Sequence, residues 1–233
     1  REGIPTPRTL IISAKTPWRE VAGLGSPIVI KLPDGSFSAA VHKIESEPEY
    51  ARLTAELFRR SPLLIAQEFL RTDFDWRVTL LDGHVLFAAR YFMADGHWQI
   101  RSEDGQGVRF GSVQAVPRDA APKEIVDLAR RAASLIGRGL YGVDIKETPT
   151  GPVVIEINDN PNLDRGDDDA ADGDVIYRDL LNYFVRKIEE HPADASGGAR
   201  ESRRARRHYR PFSVAGMELE YAVVGEDLEP ASL

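Results

Sequence analysis

Along residues 26–190, short apolar runs alternate with stretches in which apolar side chains return every three or four positions. The first pattern is that of strands and the second that of amphipathic helices. "SPIVIKLPDGS", from Ser26, reads as a strand ending in a Pro-Asp-Gly turn. "SEPEYARLTAELFRR" reads as a helix, with Ser46 as N-cap, Glu49 completing a capping box and Pro48 in the first turn. "PLLIAQEFL" is a strand, and "DWRVTLLDGHVLFAARYFM" is a hairpin turning at Asp82-Gly83. In "PKEIVDLARRAASLIGRGL", Ile125, Leu128, Ala129, Ala132, Leu135 and Ile136 fall at helical spacing, and Gly137 is the stop signal. A second hairpin, "YGVDIKETPTGPVVIEIN", and a helix, "DVIYRDLLNYFVRKIEEH", follow. No segment repeats. Hairpins mixed with helices predict an α+β sheet domain.

The hairpins place chemistry. If Thr148 to Pro152 is the loop of the second, Glu147 faces Val153 and Asp144 lies opposite Glu156. Asn158, two positions on, shares the face of Glu156. Val143, Ile145, Ile155 and Ile157 take the packing face. Two carboxylates and an amide oxygen on one patch suit Mg²⁺ that bridges substrate phosphates. The competing reading is a solvated face with a chance cluster of acids. In the first hairpin, a turn at Asp82-Gly83 sets Asp75 against Arg90 and Arg77 against Ala88. Asp75, Arg77, Thr79 and Arg90 then share one face, and Trp76, Val78, Leu80, Val85, Phe87 and Ala89 the other. Paired arginines on a sheet face clamp phosphate or carboxylate. The competing reading is a surface salt bridge between Asp75 and Arg90.

Composition removes whole classes. With 233 residues, 42% hydrophobic and 29% charged, the chain is an ordinary globular sequence of one large or two small domains. Its net charge of -7 gives no general argument for nucleic acid. The absence of cysteine excludes disulfides and thiolate metal sites. No apolar run is long enough to span a bilayer and no secretory leader is present at the N-terminus, so the cytoplasm is the default location. The first residue is Arg1, which fits a piece of something longer.

Lys31 ends an apolar strand before a turn containing Gly35, a place from which a lysine reaches a nucleotide phosphate. Neither G-x-x-x-x-G-K-[ST] nor G-x-G-x-x-G ahead of a helix occurs. "DRGDDDAADGD" lacks the spacing and closing Glu of an EF-hand. "ARESRRARRHYR" reads as a solvated linker, with a basic nucleic-acid arm as the alternative. The five histidines lie outside any nucleophile motif.

Taken in order, "GIPTPRTLI", "PIVIKLPDGS", "LLIAQEFL", "DWRVTLLDGHVLFAARYFMADGHWQI", "LYGVDIKE" and "VVIEINDNPNLDRG" resemble the ATP-grasp ligases of the RimK-like branch over residues 1–190. The resemblance implies an ATP-grasp fold, α+β, with two subdomains gripping ATP between antiparallel sheets. It implies ATP-dependent joining of a carboxylate to an amine through an acyl phosphate. By the family pattern, Lys31 holds the ATP phosphates, Gln67, Glu68 and Phe69 form the adenine hinge, and Asp75 sits near the ribose. Arg77 and Arg90 steady the transferred phosphoryl group, Asp144, Glu156 and Asn158 hold two Mg²⁺ ions (Mn²⁺ being the alternative), and Asn160 lies near substrate. The chain departs from the family in opening after its other nucleotide-binding lysine, in lacking the N-terminal subdomain, and in having Ser36-Phe37-Ser38 where glycine is usual. The expected partners are carboxylate and amine substrates, such as glutamate, with no membrane or nucleic acid; a homo-oligomer stays open. A nucleotide-binding regulatory or scaffold module without turnover is the alternative.

Residues 191–211 are expected to be a flexible basic linker. Residues 212–233 contain "FSVAGMELEYAVV", where Glu218 and Glu220 resemble the G-x-E-x-E opening strand of a glutamate–cysteine ligase-type domain. An ordinary edge strand is the alternative there.

Overall fold

The computed structural model describes residues 3–33, 41–104, 107–163 and 165–190. The expected linker, the tail with Glu218 and Glu220, and the turn with Gly35 and Ser36-Phe37-Ser38 lie outside the described residues.

Two antiparallel sheets organise the chain. The first is built from β1 (Thr9–Ile12), β2 (Ile28–Lys31), β3 (Val41–Ile44) and β4 (Leu64–Glu68), in the order β1-β4-β2-β3. Helices α1 (Trp18–Val21) and α2 (Glu47–Leu57) belong to the same unit. Ile28 and Ile30 of β2, Leu64 and Ala66 of β4, and Ile12 of β1 pack with Val21 and Leu57 into one core. The alternate positions Val29 and Lys31, with Gln67 and Ile65 beside them in register, therefore turn to the other face.

The second sheet is built from β5 (Phe74–Leu81), β6 (His84–Phe92), β9 (Val113–Val116), β10 (Leu140–Thr148) and β11 (Gly151–Asn158), in the order β11-β10-β5-β6-β9. Strands β7 (Arg101–Asp104) and β8 (Gly107–Phe110) pair separately as a ribbon. Helix α3 (Lys123–Ser134) lays Ile125, Leu128, Ala129 and Ala132 on Trp76, Val78, Val143, Ile145 and Ile157. Helix α4 (Val175–Glu190) contributes Ile176 to a smaller cluster with Leu81, Leu86 and Phe87. Leu80 packs with α3 and Leu81 with α4, so the two helices cover opposite faces of the sheet. Residues 69–73 connect β4 to β5 and so link the sheets. The segment before β1 ties in as well: Val154 N–H donates to Pro5 O at 2.9 Å and Glu68 N–H to Arg8 O at 2.9 Å.

The helices fall where the periodicity puts them, with local differences. Ser46 makes no side-chain cap bond; instead Glu49 Oε2 accepts from the Glu45 N–H at 2.7 Å, one residue outside the expected box. Helix α3 ends at Ser134, ahead of Gly137.

The hairpin registers need correction. Asp82 and Gly83 both have positive φ, 54° and 84°, as a two-residue hairpin turn requires. A bulge then inserts Leu86 into β6 between the Leu80↔Val85 and Thr79↔Phe87 pairs. Beyond it every pair shifts by one: Asp75 opposes Tyr91, Trp76 opposes Arg90 and Arg77 opposes Ala89. A shift of one residue exchanges faces. Arg90 and Ala88 therefore join Trp76 and Val78, while Ala89 and Phe87 join Arg77 and Thr79. In the second hairpin the turn is shorter, Thr148 pairing with Gly151 and Glu147 with Pro152. A bulge at Ile155 absorbs the difference, so Asp144 does oppose Glu156. Val154, not Ile155, takes the packing position next to Ile157.

Candidate active site

The face of the second sheet turned away from α3 carries charge where packing would favour carbon. Along β5, Asp75 and Arg77 alternate with the buried Trp76 and Val78; along β10, Asp144 and Lys146 alternate with Val143 and Ile145. Arg77 donates from Nε and Nη2 to the two Asp144 carboxylate oxygens, each at 2.6 Å. Beside this pair, Lys146 Nζ donates to Asp75 Oδ1 at 2.6 Å and to Thr72 Oγ1 at 2.8 Å. Opposite charges thus alternate across two strands. Glu156 faces Asp144 from β11, and Asn158, opposite Gly142, donates to Glu156 Oε1 at 3.5 Å.

Tyr91 completes the patch from β6. The Arg77 guanidinium lies 5.0 Å from the centre of its ring. Its hydroxyl donates to Asp168 Oδ1 at 2.5 Å. Asp168 is 1% exposed although it sits in a run of three aspartates. Burial and the Asp168 contact push the Tyr91 phenol well above its ordinary range, so it remains a protonated donor. Burial by itself would lower the Arg77 pKa, but the Asp144 carboxylate outweighs it and raises the value. Burial pushes the Asp75 carboxyl up against the opposing pull of Lys146.

Three oxygen side chains, from Asp144, Glu156 and Asn158, therefore meet on adjacent strands. Each Asp144 oxygen accepts one bond from Arg77 and keeps a second lone pair. Among the described residues, no three His, Cys, Asp or Glu side chains gather into a self-sufficient metal site. Two carboxylates and an amide fit Mg²⁺ that draws its remaining ligands from phosphates and water.

The first sheet supplies the other half of the candidate set. Lys31 is 9% exposed and has no hydrogen-bond or ion-pair partner among the described residues. Gln67 is buried on the same face, and its Nε2 donates to Thr9 Oγ1 at 3.0 Å. Glu68 takes the Arg8 N–H at 2.9 Å and Arg8 Nε at 2.7 Å. The side chains of Gln67 and Glu68 are thus held inside the first sheet. Phe69 starts the connection to the second sheet and packs edge-on against Trp98 at 5.6 Å. Asn160 is exposed in the turn after β11.

Arg90 does not join this set. Its guanidinium stacks 4.6 Å from the Trp76 ring and 5.1 Å from the Phe74 ring, and its Nε is buried without a hydrogen bond. The bulge at Leu86 put it on the face opposite Arg77, so the expected clamp of two arginines is not formed. The expected Asp75–Arg90 salt bridge is not formed either; Asp75 pairs with Lys146. Sequence reasoning missed Lys146, Tyr91 and Asp168. Lys146 carried a signal, being two positions from Asp144 on the same strand face. The aspartate run carried none, because consecutive acids show no periodicity. A cavity of about 890 Å³ lies elsewhere, at the β5–β6 turn between α3 and α4. Its cations are paired within the wall, Arg118 with Asp179 at 2.7 Å and Arg186 with Asp82 at 3.7 Å.

Comparison with known proteins gives a consistent picture. A family model described as the RimK-like ATP-grasp domain matches residues 1–174. A probable alpha-L-glutamate ligase of Syntrophotalea carbinolica is 28% identical over 196 residues, covering 82% of this chain and 60% of the relative. A protein of the same description from Teredinibacter turnerae is 31% identical over 204 residues, covering 84% of this chain and 64% of the relative. The chain thus spans 60% to 64% of the length of these two relatives. D-alanine–D-alanine ligase from Bacillus anthracis superposes with a TM-score of 0.63 at 17% identity, covering 81% of this chain and 65% of that one. D-cycloserine synthetase DcsG gives 0.62 at 19%, covering 80% and 66%. At those identities the likeness is one of fold.

Proposed function

The chain belongs to the RimK-like ATP-grasp family, and from that premise we propose that it carries the ATP-binding and phosphoryl-transfer groups of an ATP-dependent carboxylate–amine ligase. The observation that carries this reading is the convergence of Asp144, Glu156, Asn158 and Arg77 on the face of the second sheet that α3 does not cover. Relatives described as alpha-L-glutamate ligases support glutamate as one substrate.

In this reading ATP lies between the sheets. Lys31, buried and without a partner among the described residues, meets its phosphates. Residues 67–69 border the adenine, and Asp75 lies on the ribose side. Asp144, Glu156 and Asn158 would hold two Mg²⁺ ions, with Mn²⁺ as the alternative, and Asn160 borders the substrate. The metal supplies charge neutralisation of the triphosphate. Arg77, oriented by its two bonds to Asp144, stabilises charge on the transferred phosphoryl group. A substrate carboxylate oxygen bonds to the γ-phosphorus as the bond to ADP breaks, giving an acyl phosphate. The amine then bonds to the acyl carbon, phosphate leaves, and the amine loses a proton to solvent. Such chemistry needs positioning and charge neutralisation more than a protein nucleophile. A reaction fed by ATP belongs in the cytoplasm. Among the described residues no helix is long and apolar enough to cross a membrane.

The test is ADP release from Mg·ATP, measured on this chain and on a form extended to the full length of its relatives. L-glutamate is offered alone, with amino acids and with short peptides. ADP that forms only when a carboxylate and an amine are both present supports the ligase. ATP binding without ADP release in both forms under every substrate pair would make this a regulatory or scaffold module.

A further inference from the structure

Between β11 and α4 the chain returns to the polar face. It touches that face at two described places. Pro161 is buried against Gly142 of β10, so closely that a Cβ on Gly142 would lie 2.8 Å from Pro161 Cβ. Asp168 then meets Tyr91 of β6 at 2.5 Å. Strand β5, with Arg77, lies between β10 and β6. Pro161 and Asp168 therefore lie on either side of Arg77. Residues 166–169 are fastened locally, Asp169 accepting from the Gly166 N–H at 2.6 Å and from the Tyr177 hydroxyl at 3.0 Å.

Tyr91 touches both parts of this arrangement, its ring the Arg77 guanidinium and its hydroxyl Asp168. Folding alone gives little reason to bury a phenol and a carboxylate together, because an apolar pair of the same volume avoids the desolvation of both groups. A ring face beside a guanidinium restrains its plane, and that plane decides whether a two-pronged contact forms. We propose that Tyr91 is a positioning residue with two separable tasks: its ring orients Arg77 toward Asp144, and its hydroxyl, through Asp168, fixes residues 165–168 beside the site and so sets the room left for the carboxylate substrate. The second task rests on the ligase reading above.

The two tasks separate by substitution. Tyr91→Phe keeps the ring and removes the bond to Asp168. Tyr91→Leu removes both. Asp168→Asn keeps an acceptor for the hydroxyl and serves as the conservative variant. With Mg·ATP and the carboxylate and amine pair found in the ADP screen as probes, Tyr91→Phe should raise the KM for the carboxylate substrate about tenfold with kcat within about threefold of wild type. Tyr91→Leu should in addition lower kcat by about tenfold or more, as loss of a transition-state contact does. Asp168→Asn, which still accepts from the Tyr91 hydroxyl, should stay closer to wild type in KM than Tyr91→Phe. Hydrogen exchange supplies an arm independent of turnover: in Tyr91→Phe the amides of residues 165–169 should exchange faster while those of β5 and β6 keep wild-type rates.

Phe and Leu variants with the same kcat and KM would overturn the division of tasks, and a Phe variant like wild type in KM and in exchange would overturn the link through Asp168. If no protein form releases ADP, the ligase reading has failed, and exchange decides the fastening by itself: local acceleration at 165–169 sustains it, and unchanged or uniformly faster exchange refutes it.

Discussion

Replacing each arginine of the first hairpin by methionine tests the register that governs the site. Arg77 and Asp144 side chains are 16% and 11% exposed, and two bonds of 2.6 Å join them. Arg77→Met keeps most of the aliphatic volume but leaves Asp144 buried, unpaired and opposite Glu156. Removing one partner of a buried ion pair costs about 3–5 kcal/mol. Arg90 has the reverse balance. Its stacking on Trp76 and Phe74 contributes about 1–2 kcal/mol for two partly screened contacts. Its unsatisfied Nε costs about 1–3 kcal/mol, which Arg90→Met removes. The two effects nearly cancel, and Arg90→Met should lie within about 1 kcal/mol of wild type by that difference. Urea unfolding followed by tryptophan fluorescence reads both, provided the slopes match. Mg·ATP affinity should fall in Arg77→Met and persist in Arg90→Met. Equal destabilisation by the two substitutions, or loss of ATP binding from Arg90→Met alone, would refute the observed faces and restore the two-arginine clamp.

Three other outcomes follow from the same structure. Gly142→Ala should destabilise by about 1–3 kcal/mol, because its Cβ would meet the rigid ring of Pro161 at 2.8 Å, and an unchanged Tm would contradict that packing. Lys31→Met should weaken ATP binding about tenfold or more without lowering stability, since a buried ammonium without a partner costs rather than contributes; equal affinity in calorimetry would remove Lys31 from the site. Burial lowers the His42 pKa below its ordinary 6.5, Glu56 opposing it. Between the folded pKa and 6.5 the unfolded chain therefore binds more protons, and stability falls as pH drops through that window. His42→Gln should flatten this slope in urea midpoints measured against pH, and a slope equal to that of wild type would contradict the assignment.

What the sequence made legible follows from what each element buries. Helix α3 was plain because one face packs on the sheet and the other meets water, so its apolar residues recur at helical spacing. The placement of the candidate residues on β10 and β11 was legible for a related reason: polar residues two apart on a regular strand share a face, and the opposed pair Asp144 and Glu156 survived an error in the loop because a bulge cancelled it. The first hairpin failed where alternation stops. Leu86, Phe87, Ala88 and Ala89 are all buried, since α3 and α4 cover opposite faces, and a continuous apolar run cannot show a one-residue insertion. Asp168 was illegible for the opposite reason. It is one of three consecutive aspartates, and only the tertiary contact with Tyr91 distinguishes it from its neighbours.

The central claim is that Asp144, Glu156 and Asn158 hold the metal that accompanies ATP. Calorimetric titration of ATP into the wild-type chain and into Glu156→Gln, with Mg²⁺ and with EDTA, tests it most directly. The account predicts that EDTA weakens binding by about tenfold or more in the wild type, a difference of about 1.4 kcal/mol, and that Glu156→Gln loses most of this metal dependence while its urea midpoint is retained. Equal affinity for ATP in Mg²⁺ and in EDTA, or full metal dependence in Glu156→Gln, would contradict it.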